Sequence, residues 1–440
     1  MHFLKKYGLA LTALTPALVS AQSSSSADLT PIFSTIRPSL TAIEAAAATA
    51  VPEEYTSTVS GKVFDRFVIV WLENTDYDAA YGQADLAYLA ESGLLLTNYF
   101  AITHPSEPNY VAAVGGDYFG IDSDDFFQIP SNVSTIVDLL DTKGISWAEY
   151  QEDLPYAGFQ GFNFSNQVTY KNDYVRKHNP LIIYDSIVNN ASRVDNIKNF
   201  TSFYDDLNNK QLPQWMFITP NMTNDGHDTT VDYCGNWARN FLQPLMNNTY
   251  FWDNTLVLLT FDENETDGTQ NRVWALLTGG ALPKSLKGKT DATFYSHYSE
   301  IATVEANWDL ENLGRGDASA NVFAFVANDT GLSIQSVDVS TISNNQSAPG
   351  YFNDYEIPIP PPNVNAVNAN GKGVLPAISS VWASAYSSFT ATSASSSATA
   401  TSAASSTSAA ATSTTSSSAA DKLAPASGLL GLIVAAVALM

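Results

Sequence analysis

Phe64-Asp-Arg-Phe-Val-Ile-Val-Trp-Leu72, followed at once by Glu73-Asn74, is the stretch that decides the fold. A continuous β-branched and aromatic run with no polar alternation is a strand buried on both faces. The same pattern returns at Gln214-Trp-Met-Phe-Ile-Thr219, Thr255-Leu-Val-Leu-Leu-Thr-Phe261 and Arg272-Val-Trp-Ala-Leu-Leu-Thr278. Between these runs, helical patterns cover 84–92, 110–114, 135–143, 234–247 and 297–310. Buried strands alternating with amphipathic helices predict an α/β protein, a three-layer α/β/α sandwich with a largely parallel central sheet. Residues 61–350 are enough chain for one such domain.

The main runs end in side chains that turns alone do not require together. Glu73-Asn74 follows the first, Pro220-Asn221 and then Asp225-Gly-His227-Asp228 the second, and Asp262-Glu263-Asn264 the third. Asp and Asn are common in loops for turn geometry, so one such cluster carries little weight. Their repetition matters, because ligands of open α/β sheets bind outside the carboxyl ends of the strands. His104-Pro105-Ser106-Glu107-Pro108-Asn109-Tyr110 adds a hydroxyl. Pro108 ahead of the apolar 110–114 stretch marks a helix start, where free N–H groups and the dipole favour a phosphate. On spacing alone Ser106 reads either as a nucleophile or as a capping serine in a loop shaped by two prolines.

The chain has 5 histidines. His2 lies in the leader, and the rest, His104, His178, His227 and His297, all fall in or beside these polar motifs. The single cysteine, Cys234, excludes a disulfide framework and reads as a buried thiol without chemistry. A net charge of −24, from 20 basic and 44 acidic residues, excludes nucleic acid as a partner. The same field repels anionic esters, so a phosphate-ester site on this chain requires something positive, a bound metal ion being the obvious candidate. The acidic residues 122–125 read as a solvated loop.

The two ends describe a route rather than a fold. Lys5 and Lys6, an apolar run over 7–19 and small residues at Ser20-Ala21 predict a signal peptide over 1–21. Residues 22–60 form a Ser/Ala/Thr-rich leader, 351–378 a Pro/Asn-rich linker, and 379–420 a Ser/Thr/Ala-rich stalk suited to O-glycans. Small residues around Ser417 and Ser418, then Asp421-Lys422 and an apolar tail ending at Met440, predict a GPI-anchor signal over 421–440 that is removed. N-glycosylation sequons stand at Asn132, Asn163, Asn190, Asn199, Asn221, Asn247, Asn264, Asn328 and Asn345. The expected location is the cell surface, on the plasma membrane through a GPI lipid and against cell-wall glucan.

From about 64 to 309 the chain resembles the phosphoesterase family that joins phosphatidylcholine-type phospholipases C to acid phosphatases, nearest to fungal GPI-anchored acid phosphatases. The motifs that carry the resemblance are Glu73-Asn74, Ser106-Glu-Pro-Asn109, Lys177-His-Asn-Pro180, Asn224-Asp-Gly-His-Asp228, Asp262-Glu263 and Ser296-His-Tyr-Ser299. The resemblance implies an alkaline-phosphatase-like fold and an acid phosphatase acting on phosphate monoesters, with Ser106 as a nucleophile that forms a phosphoserine. It implies a divalent metal ion on Asn74, Ser106, Asp262 and Glu263, with Glu73 beside them. It also implies that His178, His227 and His297 hold the phosphoryl group or serve the leaving group, with His104, Asn109 and Asp228 on the substrate. An all-oxygen ligand set suits Mg, Ca or Mn better than Zn. A phospholipase C or phosphodiesterase on the same site, and a non-catalytic cell-wall glycoprotein, are the alternatives.

Overall fold

A computed structural model of the chain describes residues 38–347, 350–352 and 358–404. The signal peptide, residues 22–37 of the Ser/Ala/Thr leader, the end of the stalk with Ser417 and Ser418, and the anchor signal at 421–440 lie outside the described residues. The strands are β1 (Arg66–Leu72), β2 (Leu94–Phe100), β3 (Trp147–Gln151), β4 (Asn163–Ser165), β5 (Asn172–Val175), β6 (Ile197–Asn199), β7 (Trp215–Thr219), β8 (Thr255–Phe261), β9 (Arg272–Thr278) and β10 (Lys289–Ser296). Eight of them form one sheet in the order β10-β2-β9-β8-β1-β7-β3-β6, while β4 and β5 pair separately. All strands of the large sheet run in one direction except β9, which is antiparallel to both β2 and β8.

β1 reads as a continuous apolar run because it has neighbours on every side. It pairs with β8 and β7, and side chains alternate between two helical layers. Its odd-numbered residues face one layer: the Trp71 ring lies 4.8 Å from Tyr110 in helix Ser106–Gly115, and Phe67 lies 6.5 Å from Phe323, which caps helix Ala324–Thr330. The opposite layer holds helices Phe200–Asn209 and Val231–Met246, joined by Phe203 and Phe241 at 5.5 Å, with Phe203 edge-on to Tyr150 of β3 at 5.2 Å. The expected α/β sandwich is therefore the observed architecture.

β8 and β9 occupy the ranges expected, and β7 begins one residue later. β2 to β6 and β10 lie outside the strand runs read from the sequence. β3 hides Glu149 in a buried strand, where its Oε1 accepts the Leu181 N–H at 2.9 Å. β10 lies at the sheet edge and exposes much of its length. The compact unit, which runs through Ser388, takes in pieces of both flanks. Thr56 Oγ1 bonds the Leu212 carbonyl at 2.9 Å, and Ser57 bonds Gln214 at 2.6 Å. At the other flank, helix Pro376–Ala404 starts within the expected linker and buries Ile378 and Trp382, whose Nε1 donates to the Asn132 carbonyl at 2.9 Å. A second unit begins at Phe389, and its described part is the end of that helix. Among the described residues no helix is long and apolar enough to cross a membrane.

Candidate active site

Because the parallel strands all point one way, their carboxyl ends deliver the polar clusters to one edge. Backbone bonds then stitch the clusters together: Asp262 N–H donates to Leu72 O at 3.0 Å, Glu73 N–H to Asp225 O at 2.9 Å, and Thr75 N–H to Glu263 O at 3.2 Å. β2 supplies the remaining piece, since the chain beyond Phe100 leads through a cis His104–Pro105 bond into helix Ser106–Gly115. Ser106 is the first helical residue, two positions earlier than the proline pattern suggested.

Ser106 Oγ sits between two carboxylates, 3.2 Å from Glu73 Oε2 and 3.3 Å from Glu263 Oε1. Both carboxylates are fully engaged. Tyr110 donates its hydroxyl to Glu73 Oε1 at 2.5 Å. Glu263 accepts from Asn74 Nδ2 at 2.8 Å, from Asn109 Nδ2 at 3.3 Å, and pairs with His104 Nδ1 at 2.7 Å. Beside them, Asn74 Oδ1 and both oxygens of the buried Asp262 have no hydrogen-bond partner in the protein. Buried acceptors without donors are rare in folded proteins and call for an explanation. A cation bound among them supplies one.

A second set lies alongside. His178 Nε2 is 3.2 Å from Glu73 Oε1, and its Nδ1 is 3.5 Å from Asp225 Oδ2, yet neither contact is aligned as a hydrogen bond. The ring stacks on Tyr110 at 5.1 Å. Glu73, His178 and Asp225 bring ligand atoms within 4.8 Å of one another and could hold a metal ion.

Electrostatics follow from burying so much negative charge. Burial pushes Glu73 up to about 8, against the opposing charge of Lys177 and the bond from Tyr110. Burial, then the neighbouring carboxylates, carry Asp262 and Asp225 well above the usual range. His104 goes up: burial disfavours its charge, but the bond and charge of Glu263 outweigh that. His178 goes well down, through burial and then the charges of Lys177 and His227. His178, expected on the phosphoryl group, thus has its charged form disfavoured, which suits its ring to a cation instead.

The other predicted residues divide by position. His227 is on the rim, held by Asp228 Oδ1 at 3.0 Å from Nδ1 and by Lys177 Nζ at 3.3 Å from Nε2. Gly226 lets the chain present it: φ is +108° and a Cβ there would lie 3.2 Å from the Cys234 sulfur. Cys234 itself is buried, its thiol pushed up to about 12 by burial. His227 lines both a cleft of about 470 Å³ beside Asn74 and one of about 540 Å³ beside Lys177. His104 and Asn109 brace the site rather than face a substrate. Asn109 is wholly buried, with Oδ1 accepting from Ile102 and Thr103 N–H groups, and His104 Nε2 lies 3.1 Å from Asn264 Oδ1. His297 is behind the site. Its Nε2 is 2.7 Å from the Asp262 backbone carbonyl and its Nδ1 3.2 Å from the Tyr99 hydroxyl, so the buried ring positions Asp262 and does not reach the cleft.

Asn264 also departs from expectation. Its Nδ2 is buried and donates to Asp76, Thr266 and Thr269, which leaves no room for a glycan on that nitrogen. Among the other sequons Asn132, Asn190, Asn247 and Asn328 are exposed, while Asn163, Asn199, Asn221 and Asn345 are half-buried. Sequence reading missed Tyr110, Asp225 and Lys177 as site residues, although the last two lay inside quoted motifs. It also misjudged Asp124, which bonds Lys177 at 2.9 Å and the Glu107 N–H at 3.0 Å.

A family model described as "Phosphoesterase family" matches residues 84–311. A Kluyveromyces lactis protein named "Probable acid phosphatase" is 57% identical over 88% of this chain and 91% of its own length. An Aspergillus fumigatus "Acid phosphatase" is 53% identical over 81% of both chains. Among solved structures, a protein in the alkaline phosphatase superfamily from Vibrio parahaemolyticus overlays 58% of this chain and 67% of its own with a TM-score of 0.37 at 13% identity, too loose a likeness to argue from. With a family match over half the chain and majority identity to relatives of nearly full coverage, the protein belongs to the phosphoesterase family.

Proposed function

We propose that this protein is an acid phosphatase that hydrolyses phosphate monoesters at the cell surface through Ser106. The observation that carries the reading is the hydroxyl of Ser106 at a helix N-terminus, beside Asn74 Oδ1 and Asp262 oxygens that are buried without partners. The names of the fungal relatives support it. Asn74, Asp262 and Ser106 would hold a divalent cation, Mg, Ca or Mn before Zn, with Glu73 and Glu263 behind them because their oxygens already accept hydrogen bonds. When bound, the cation supplies charge neutralisation for the phosphoryl oxygens and lowers the pKa of the serine.

The chain's own groups do the rest. Ser106 Oγ attacks phosphorus in line, and its proton passes along the 3.2 Å contact to Glu73, whose carboxyl a bound divalent cation would keep ionised against the burial that raises it. The P–O bond to the organic group breaks, and His227 on the rim gives that oxygen a proton. Water then attacks the phosphoserine, giving one proton to His227; the P–O bond to Ser106 breaks, Glu73 returns its proton to Oγ, and inorganic phosphate leaves. His104, held by Glu263, keeps the second carboxylate in register. Delivery to the surface rests on the signal peptide and GPI pattern of the sequence. Release of activity from intact cells by a phosphatidylinositol-cleaving phospholipase tests that part.

The deciding experiment compares a phosphomonoester, the matching diester and phosphatidylcholine from acid to neutral pH. Fast monoester cleavage at acid pH supports the phosphatase. Preference for the diester or lipid favours a phosphodiesterase or phospholipase C on the same residues. Silence on all of them leaves a cell-wall glycoprotein.

A further inference from the structure

Asp124 makes two contacts that a bound phosphoryl group would be expected to make. Its Oδ1 accepts the Glu107 backbone N–H at 3.0 Å, and its Oδ2 accepts from Lys177 Nζ at 2.9 Å. The Glu107 N–H lies in the first turn of the helix that begins at Ser106, so it has no partner within the helix and is the nearest main-chain donor beyond the nucleophile. Lys177 is a persistent cation: burial works against its charge, but Asp124, then Glu73, outweigh it. A carboxylate bridging a helix N–H and an ammonium imitates two oxygens of a phosphoryl group.

The surroundings mark the spot as one built for a ligand. Both Asp262 oxygens are buried and unpartnered close by, and Lys177 feels the charge of Asp262 as well as that of Glu73. Together with Lys177 and His227, Asp124 lines the cleft of about 540 Å³, whose wall carries Phe162 and Met222. We infer that Lys177 and the Glu107 N–H are phosphoryl-oxygen donors, and that the Asp124 carboxylate is an internal stand-in that substrate and product phosphate must displace. The inference rests on the phosphatase reading and deepens it. The ester enters by the Lys177 side of His227, with its organic group along Phe162 and Met222.

The test uses the metal-loaded, full-length secreted protein and inorganic phosphate as the probe, titrated by calorimetry. Asp124→Ala is expected to bind phosphate about tenfold tighter than wild type, and Lys177→Met about tenfold weaker. In the double variant the gain from removing Asp124 shrinks, because the donor it masks is gone. Asp124→Asn keeps the size of the side chain and gives a smaller gain, which covers the case in which the alanine variant fails to fold. Unchanged or weaker phosphate binding in the Asp124 variants overturns the inference, as does a full gain without Lys177. Wild-type monoester turnover is measured in parallel. Its absence, with phosphate binding as expected, would sink the phosphatase reading and leave the anion site standing.

Discussion

The two edges of the central sheet handle buried polarity in opposite ways. At the amino edge two neutral amides, Gln214 and Asn307, have every polar side-chain atom bonded. Gln214 Oε1 accepts from Ser57 Oγ at 2.6 Å and Val59 N–H at 2.7 Å, while its Nε2 donates to the carbonyls of Val59 and Asp65, each at 2.7 Å. Asn307 likewise accepts from Val63 and Phe64 N–H groups and donates to Phe64 O. At the carboxyl edge the groups are carboxylates and imidazoles, and Asn74, His178, Asp225 and Asp262 all retain buried atoms without partners. Satisfied polarity holds strand ends in place; unsatisfied polarity stores affinity for a ligand. Because unpartnered atoms also occur singly elsewhere, as at Glu149 Oε2 and Glu305 Oε1, it is their concentration at one edge that marks the site.

Substitutions can break that contrast. Ser106→Ala should cost about four orders of magnitude or more in kcat, with the thermal midpoint nearly unmoved, because one small hydroxyl leaves the site. Steady-state rates together with a melting curve check both halves. Asp262→Asn should lower activity about a thousandfold through weakened cation binding. It should also make the metal-free protein more stable, since it removes a buried carboxylate with no partner. A metal-free variant less stable than wild type would refute the stored-affinity account.

The pH dependence of the metal-free protein sharpens the comparison. Glu73 rises from 4.5 to about 8 on folding, so between those values the folded chain binds more protons than the unfolded one. Stability from this group is then fully present below about 4.5 and is lost as pH rises to about 8, by at most about 5 kcal/mol. Added divalent cation should remove most of that slope, and denaturant melts at several pH values with and without it supply the readout. Smaller still, Gln214→Ala at the other edge should destabilise by about 3 kcal/mol while leaving kcat and KM alone. A drop in turnover there would show that the two edges are coupled.

Much of this was legible in advance for reasons that particular residues make plain. β1, β8 and β9 were readable because strands buried on both faces cannot afford polar interruptions. β3 was hidden by Glu149, an acid that its fold satisfies with a distant N–H, and β10 by an edge position that tolerates polar residues. Glu73, Asn74, Ser106, Asp262 and Glu263, which the structure brings together, stood out in the sequence because each follows a strand or opens a helix. Asp124 was passed over as solvated loop, since nothing local reveals that Lys177, 53 residues away, comes to meet it.

By itself the sequence determined the class of fold and the sheet edge on which the polar clusters gather, and it singled out Ser106 and the expectation of a cation in a chain of net charge −24. These follow from local pattern: strand burial sets composition, and chain direction sets which end carries the loops. Only the tertiary structure decided which histidine faces the cleft and which, like His297, stands behind Asp262. Only it showed that Asn109 is a brace, that Asn264 is too buried for a glycan, and that Asp124 bridges the Glu107 N–H and Lys177. Those outcomes depend on contacts between residues far apart in the chain, and periodicity reports that a side chain is buried without naming what it is buried against.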